Sequence, residues 1–214
     1  GEIGPSAAYC HPMGYPPRVE VPYGYYHVVT RGNNKRAIYL DDRDREFFLL
    51  ILRRVARRYG WSFLAYCLMG NHYHLVLQLA ESGISRGMCE LNTAYAATHN
   101  IRHRRINHLF GKRFWSELIT MDEQLLATCR YVLQNPVRAG LCASCEDWTW
   151  SSYHATVGLA VPEPFLAVKD VLAFVSPSGA NARARFRDFC ATIVPAWTPS
   201  TSVGAGPACA PQVN

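Results

Sequence analysis

The stretch Asn71-His72-Tyr73-His74-Leu75-Val76-Leu77-Gln78 leaves this chain few structural options. It is an apolar run of strand length, and in a strand successive side chains point to opposite faces. His72, His74, Val76 and Gln78 therefore share one face, while Tyr73, Leu75, Leu77 and Leu79 share the other. One side reads as a core and the other as a site. Two same-face imidazoles lie about 6–7 Å apart along the backbone, from the strand rise. That is close enough to converge on one metal ion if the rings tilt inward.

The neighbouring sequence supplies a sheet for that strand. Tyr25 to Thr30 is aromatic and β-branched and is closed by the turn residues Arg31-Gly32-Asn33-Asn34, which predicts a first strand with Tyr25, His27, Val29 and Arg31 on one face. Asp41 and Asp42 offer an N-cap to an amphipathic helix through Phe48, Ile51, Leu52, Val55 and Tyr59, with Gly60 as its stop. Its opposite face, with Arg53, Arg54 and Arg57, reads as solvated and matched to the helix dipole. Trp61 to Leu68 is a second strand, and Met69-Gly70-Asn71 turns it into the histidine strand as a hairpin. A second helix spans roughly Ile84 to Asn100, a fourth strand Arg113 to Thr120, and a third helix follows from Asp122 as its cap. Pro136 is expected to kink or end that helix. The order is that of an α+β, ferredoxin-like βαββαβ sheet with one helix added, and it sets the histidine strand beside the His27 strand.

A chain of 214 residues suits one well-cored domain with appendages. The net charge is +6, and 19 of the 22 basic side chains are arginine, whose planar fork suits phosphate. Ile101 to Arg113 concentrates Arg102, His103, Arg104, Arg105, His108, Lys112 and Arg113 without one acid, making it the densest candidate phosphate surface. The scattered cysteines, including the lone Cys142/Cys145 CxxC, read as reduced residues rather than a zinc site. No apolar run has membrane-span length, and Gly1 to Arg18 lacks the pattern of a signal peptide, so a soluble, cytoplasmic protein is expected. Residues 1–22 form a proline-rich arm and 191–214 a Pro/Ser/Gly/Ala tail. Between them, 23–158 is expected to be the main domain and 159–190 a helical extension, with a short helix within Pro162 to Ala173 and a basic one around Arg183, Arg185 and Arg187. Leu141 to Tyr153 is expected to be a docked return segment.

Two histidines need at least one more ligand to hold a divalent ion with coordination positions left open for chemistry. In the third helix Tyr131 and Asn135 are four residues apart and share a helical face. With the Asn135 carbonyl oxygen on a metal, Tyr131 would stand beside whatever the ion polarises. Phosphodiester chemistry suits such a site, with a tyrosyl oxygen attacking in line to form a phosphotyrosine. A tyrosine of ordinary pKa, about 10, would need a general base or the metal's field to act at neutral pH.

These residues also carry a resemblance. Asn71-His72-Tyr73-His74 resembles the HUH motif, and Arg130-Tyr131-Val132-Leu133-Gln134-Asn135-Pro136-Val137-Arg138-Ala139-Gly140-Leu141 resembles the catalytic helix of single-tyrosine HUH transposases. The nearest group is the REP-associated tyrosine transposases. His27-Val28-Val29-Thr30-Arg31-Gly32-Asn33 and Trp150-Ser151-Ser152-Tyr153 extend the match, which spans about Tyr23 to Gly158. The resemblance implies a nucleoid-associated enzyme that uses Mg²⁺ or Mn²⁺ to cleave and rejoin single-stranded DNA near REP-type hairpins, as a monomer or homodimer. It implies Tyr131 as the nucleophile joined to the 5′ phosphate, leaving a free 3′ hydroxyl, with His72, His74 and Asn135 as metal ligands. Arg31, Asn33, Arg102, Arg104, Arg105, Lys112, Arg113 and Arg138 are the expected DNA contacts. Two departures stand out: Gly70 where many relatives have proline, and Ser116-Glu117 where a basic residue is common. The alternatives are a catalytically silent hairpin-binding regulator of the same fold and an HUH relaxase or replication initiator. The latter would bring a second tyrosine near the first, and Tyr131 has none within one helical turn.

Overall fold

The structure is a computed structural model that describes residues 20–193. The proline-rich arm as far as residue 19 and the tail from residue 194 lie outside the described residues.

The first strand, β1 (Tyr25–Arg31), leads through a 3₁₀ turn at Asn33–Lys35 to α1 (Asp42–Tyr59). Asp41 caps this helix by accepting the Asp44 amide, and Gly60 ends it in the left-handed conformation at φ 64°, a backbone state that costs glycine little. The hairpin of β2 (Ser62–Leu68) and β3 (His72–Gln78) follows, then α2 (Ile84–Arg102) and β4 (Trp115–Ile119). The α2 N-terminus has only Gly83 at its cap position. Its orphan amides at Gly83 and Ser85 instead donate to the Glu20 carboxylate at 2.6 and 3.0 Å.

The strands form a sheet in the order β2-β3-β1-β4, antiparallel throughout. β1 and β3 are central, as the ferredoxin-like order requires. Tyr26 and Val28 from β1 and Tyr73, Leu75 and Leu77 from β3 bury against Phe48, Leu52 and Val55 of α1 and Met88, Leu91 and Tyr95 of α2.

The opposite face, which carries the histidines, is covered as well. There α3 (Asp122–Leu133) lays Leu125, Cys129 and Val132 against Leu64, Ala65, Cys67 and Val76 of the sheet. A bulge between Phe63 and Ala65 lets Leu64 and Ala65 both face this second core. Asp122 is a first-turn residue of α3 rather than its cap, the cap position being Met121. Pro136 breaks the helix as its missing amide dictates: α3 ends at Leu133, and the short α4 (Asn135–Arg138) restarts beyond it.

The segment after Leu141 docks along the outer edge of β2, where Leu68 donates to Trp150, Ser152 to Tyr66, and an isolated bridge joins Cys67 to Ser151. It leads into α5 (Tyr153–Val157). The helix expected within Pro162 to Ala173 instead runs as α6 (Val168–Val175). Residues 165–167 are held extended, because Phe63 donates to Phe165 and receives the Ala167 amide. The basic helix α7 (Ala182–Ala191) buries Phe186 and Cys190 in the second core. Cys67, Cys129, Cys145 and Cys190 are buried free thiols, Cys142 is half-buried and Cys89 exposed. No helix among the described residues is long and apolar enough to cross a membrane.

Candidate active site

The register of β1 against β3 pairs Val29 with His74, Arg31 with His72 and His27 with Val76. Side chains on one face of adjacent strands reach their diagonal neighbours, so His27 meets His74. The two rings stack at 5.3 Å with an interplanar angle of 18°, and His27 Nε2 lies 3.0 Å from His74 Nδ1. His72 sits edge-on to His74 at 5.0 Å between centroids. The face thus carries three imidazoles in a row, where the sequence reading gave a site role to two. Alternation and strand order had already put His27 on this face of the neighbouring strand; the register was the missing piece.

Hydrogen bonds around the row constrain the proton positions. Asn71 donates its amide nitrogen to the Lys35 carbonyl at 3.0 Å, which turns its oxygen toward His72 Nδ1 at 2.6 Å. The amide oxygen only accepts, so His72 carries its proton on Nδ1 and keeps a lone pair on Nε2. His74 Nε2 is buried with no hydrogen-bond partner among the described residues. A buried polar atom in that state is costly unless something else satisfies it.

A cation ligated through the Nε2 atoms of His72 and His74 fits this arrangement. It requires His74 to donate from Nδ1 to His27 Nε2, placing the His27 proton on Nδ1. Burial keeps all three rings neutral, the form in which imidazole binds metals. It pushes the His27 pKa down to about 3 and holds His74 well below the usual range. Burial, helped by the positive charge of Arg31, lowers His72 to about 4.

Tyr131 comes from the last turn of α3, on the stripe adjoining the buried one. Its ring meets His74 edge-on at 5.9 Å and His27 at 6.1 Å between centroids. One turn on, across the Pro136 break, the Asn135 amide nitrogen donates to the Tyr131 carbonyl at 2.9 Å, which leaves the amide oxygen as the atom available to a ligand. The Arg138 guanidinium lies over the Tyr131 ring, 5.2 Å from its centroid. Trp115, partly exposed on β4, packs edge-on against His27 at 5.3 Å. Neither Trp115 nor the stacking of Arg138 on Tyr131 was foreseen from the sequence. Glu117, the acid where a base was expected, pairs across the sheet with His27.

The other expected DNA contacts divide into two groups. Arg31 is exposed beside His72, and Asn33 donates its backbone amide to Leu109 while Gly111 donates to Arg31. The exposed Lys112 and Arg113 follow directly, so this part of the basic loop borders the histidine face. Arg102 is engaged elsewhere, bridging Asp41 and Asp44 on the α1 side of the sheet. Arg105 belongs to the same region, its amide donating to the Asn100 carbonyl, and Arg104 is exposed next to it. In that region Asp44, His99 and His103 bring ligand atoms within 4.8 Å of one another, the one such group of three His, Cys, Asp or Glu among the described residues.

Comparison with known proteins bears on the family and the fold. A REP-associated tyrosine transposase of Haemophilus influenzae is 26% identical over 147 residues, which cover 62% of this chain and 80% of that protein. Among solved structures, a REP-associated tyrosine transposase bound to a REP hairpin superposes with a TM-score of 0.59 at 20% identity, over 71% of this chain and 90% of its own, and shares the fold. The family model for IS200-like transposases matches residues 20–135, from the residue that caps α2 to the asparagine one turn beyond Tyr131, and the chain belongs to that transposase family.

Proposed function

We propose that this protein is a metal-dependent single-stranded DNA endonuclease and strand transferase acting at REP-type hairpins through a covalent 5′-phosphotyrosine on Tyr131. The observation that carries the reading is the meeting of the Tyr131 ring with the buried His74 and His27, in an imidazole row that leaves Nε2 of both HUH histidines for a ligand.

His72 and His74, with the Asn135 oxygen, would hold Mg²⁺ or Mn²⁺. When bound, such an ion supplies Lewis acidity to the phosphoryl oxygens. The chain's own residues do the rest. The fixed Tyr131 ring presents its oxygen to the phosphorus, in line with the departing 3′ oxygen. The P–O3′ bond breaks as the tyrosyl ester forms; the tyrosyl proton is released and the 3′ oxygen takes one up, leaving a 3′ hydroxyl. Because one phosphodiester replaces another, the reverse attack by a 3′ hydroxyl rejoins strands. Arg138 holds the ring and sets positive charge beside the scissile phosphate, while Arg31, Lys112 and Arg113 line the approach of the strand.

The test is incubation with hairpin oligonucleotides in Mn²⁺ or Mg²⁺, followed by denaturing electrophoresis. The native protein is expected to form a covalent adduct that vanishes in chelator. Tyr131→Phe is expected to form none, while binding the hairpin within about threefold of wild type. An adduct that survives this substitution refutes the nucleophile. Binding with no adduct under any metal would identify a silent hairpin binder instead.

A further inference from the structure

On the opposite side of the sheet, away from the HUH histidines, α1 and α2 meet at a second cluster of ligand-type side chains. Asp44 lies in the first turn of α1 and is 1% exposed. His99 and His103 stand one turn apart at the C-terminal end of α2, with ring centroids 4.5 Å apart. His103 Nε2 is 2.9 and 3.0 Å from the two Asp44 oxygens, and His99 Nε2 is 4.0 Å from Oδ2. His99 is 1% exposed, and neither of its ring nitrogens has a hydrogen-bond partner among the described residues.

We propose that Asp44, His99 and His103 form a structural site for a Zn²⁺-class divalent ion, separate from the HUH site, that clamps the end of α2 to the start of α1.

Four features argue for an ion here. A tetrahedral ion with bonds of about 2.0–2.1 Å separates its ligands by roughly 3.3 Å, and the carboxylate-to-imidazole distances of 3.0 and 4.0 Å bracket that value. Two histidines four residues apart on a helix present their rings on one side. The Asp44 carboxylate is held by Arg102 on Oδ1 and by the Leu40 amide donating to Oδ2 at 2.7 Å, the kind of support that orients metal-ligating carboxylates, and the same Arg102 nitrogen lies 3.1 Å from His103 Nε2, so an ion entering between the ligands would displace it from that ring. His99, buried with both ring nitrogens unpartnered among the described residues, is left needing a ligand of its own. Burial lowers the pKa of His99 and favours its neutral form. Two imidazoles and one carboxylate suit Zn²⁺ or Co²⁺ better than Mg²⁺, which prefers oxygen ligands and retained water.

The consequence reaches the DNA side. The chain leaves this cluster directly into residues 104–113, the basic loop that pairs with Asn33 and Arg31 beside the HUH face. An ion fixing the end of α2 would fix where that loop departs.

The test removes the HUH ligands first. In His72→Ala/His74→Ala protein stripped of metal, titration with Co²⁺ is expected to show one saturable site with the intense visible absorption of tetrahedral coordination, displaced by Zn²⁺. Adding His99→Leu, which fills the same buried space without a donor, is expected to weaken binding at least tenfold and remove the absorption. Circular dichroism checks that each variant is folded. If His99→Leu fails to fold, His103→Gln, at the more exposed position, is the replacement. Absence of a saturable site in the HUH-deleted protein, or binding unchanged by loss of either histidine, overturns the proposal. Adduct formation by Tyr131 tests the other reading separately.

Discussion

Three imidazoles held as neutral rings, His27 and His74 buried and His72 half-buried, tie the stability of this fold to pH in a calculable way. An unfolded histidine titrates near 6.5, whereas burial holds His27 near 3 and burial with Arg31 holds His72 near 4. Between those values the unfolded chain binds more protons than the native one. The stability these rings contribute is therefore complete above about pH 6.5 and is lost as pH falls toward the folded values. At pH 5 each of the two costs about 2 kcal/mol relative to pH 7.5, from 1.36 kcal/mol per pKa unit. His74, depressed in the same direction, adds to the loss. The perturbation that isolates one ring is His27→Gln, which keeps a polar group at the His74 end but does not titrate. Urea unfolding in chelator at pH 7.5, 6 and 5 gives the difference directly. Whatever the substitution does at pH 7.5, the drop in unfolding free energy between pH 7.5 and 5 is expected to be smaller than that of wild type by about 2 kcal/mol. An unchanged drop would mean that His27 is not held neutral in the native state, and the tautomer argument for His74 would lose its basis.

The remaining predictions concern groups that orient the site. Asn71→Ala removes the acceptor that fixes the His72 tautomer, and calorimetric titration with Mn²⁺ is expected to show at least tenfold weaker binding; unaltered affinity would refute the orienting role. Gln134→Ala removes the donor that the Cys190 and Thr192 carbonyls share, both at 2.8 Å. Hydrogen exchange is expected to show α7 opening more readily by about 1–3 kcal/mol, because those carbonyls are left unsatisfied; protection equal to wild type would show that α7 is held by its apolar contacts alone.

Alternation and punctuation in the sequence were enough for much of this structure. Period-two runs ended by turn residues defined β1, β2 and β3 to within a residue or so, because a strand's faces follow from its own side chains. Asp41 and Gly60 bounded α1 through local capping chemistry. His72, His74, Tyr131 and Asn135 could be singled out because spacing within one element fixes which side chains share a face.

What lies between elements needed the tertiary structure. The diagonal contact of His27 with His74 depends on the β1–β3 register, set by the packing of two cores. The removal of Arg102 from the basic loop depends on Asp41 and Asp44, more than fifty residues earlier in the chain. No local pattern distinguishes it from Arg104. Sequence spacing could bring Tyr131 and Asn135 of the third helix to the histidine face, but that α3 also lays Leu125, Cys129 and Val132 over it as a second core took the tertiary structure. The sequence alone singled out the candidate residues; the folded chain decided which of them meet, because register and packing are properties of pairs of elements.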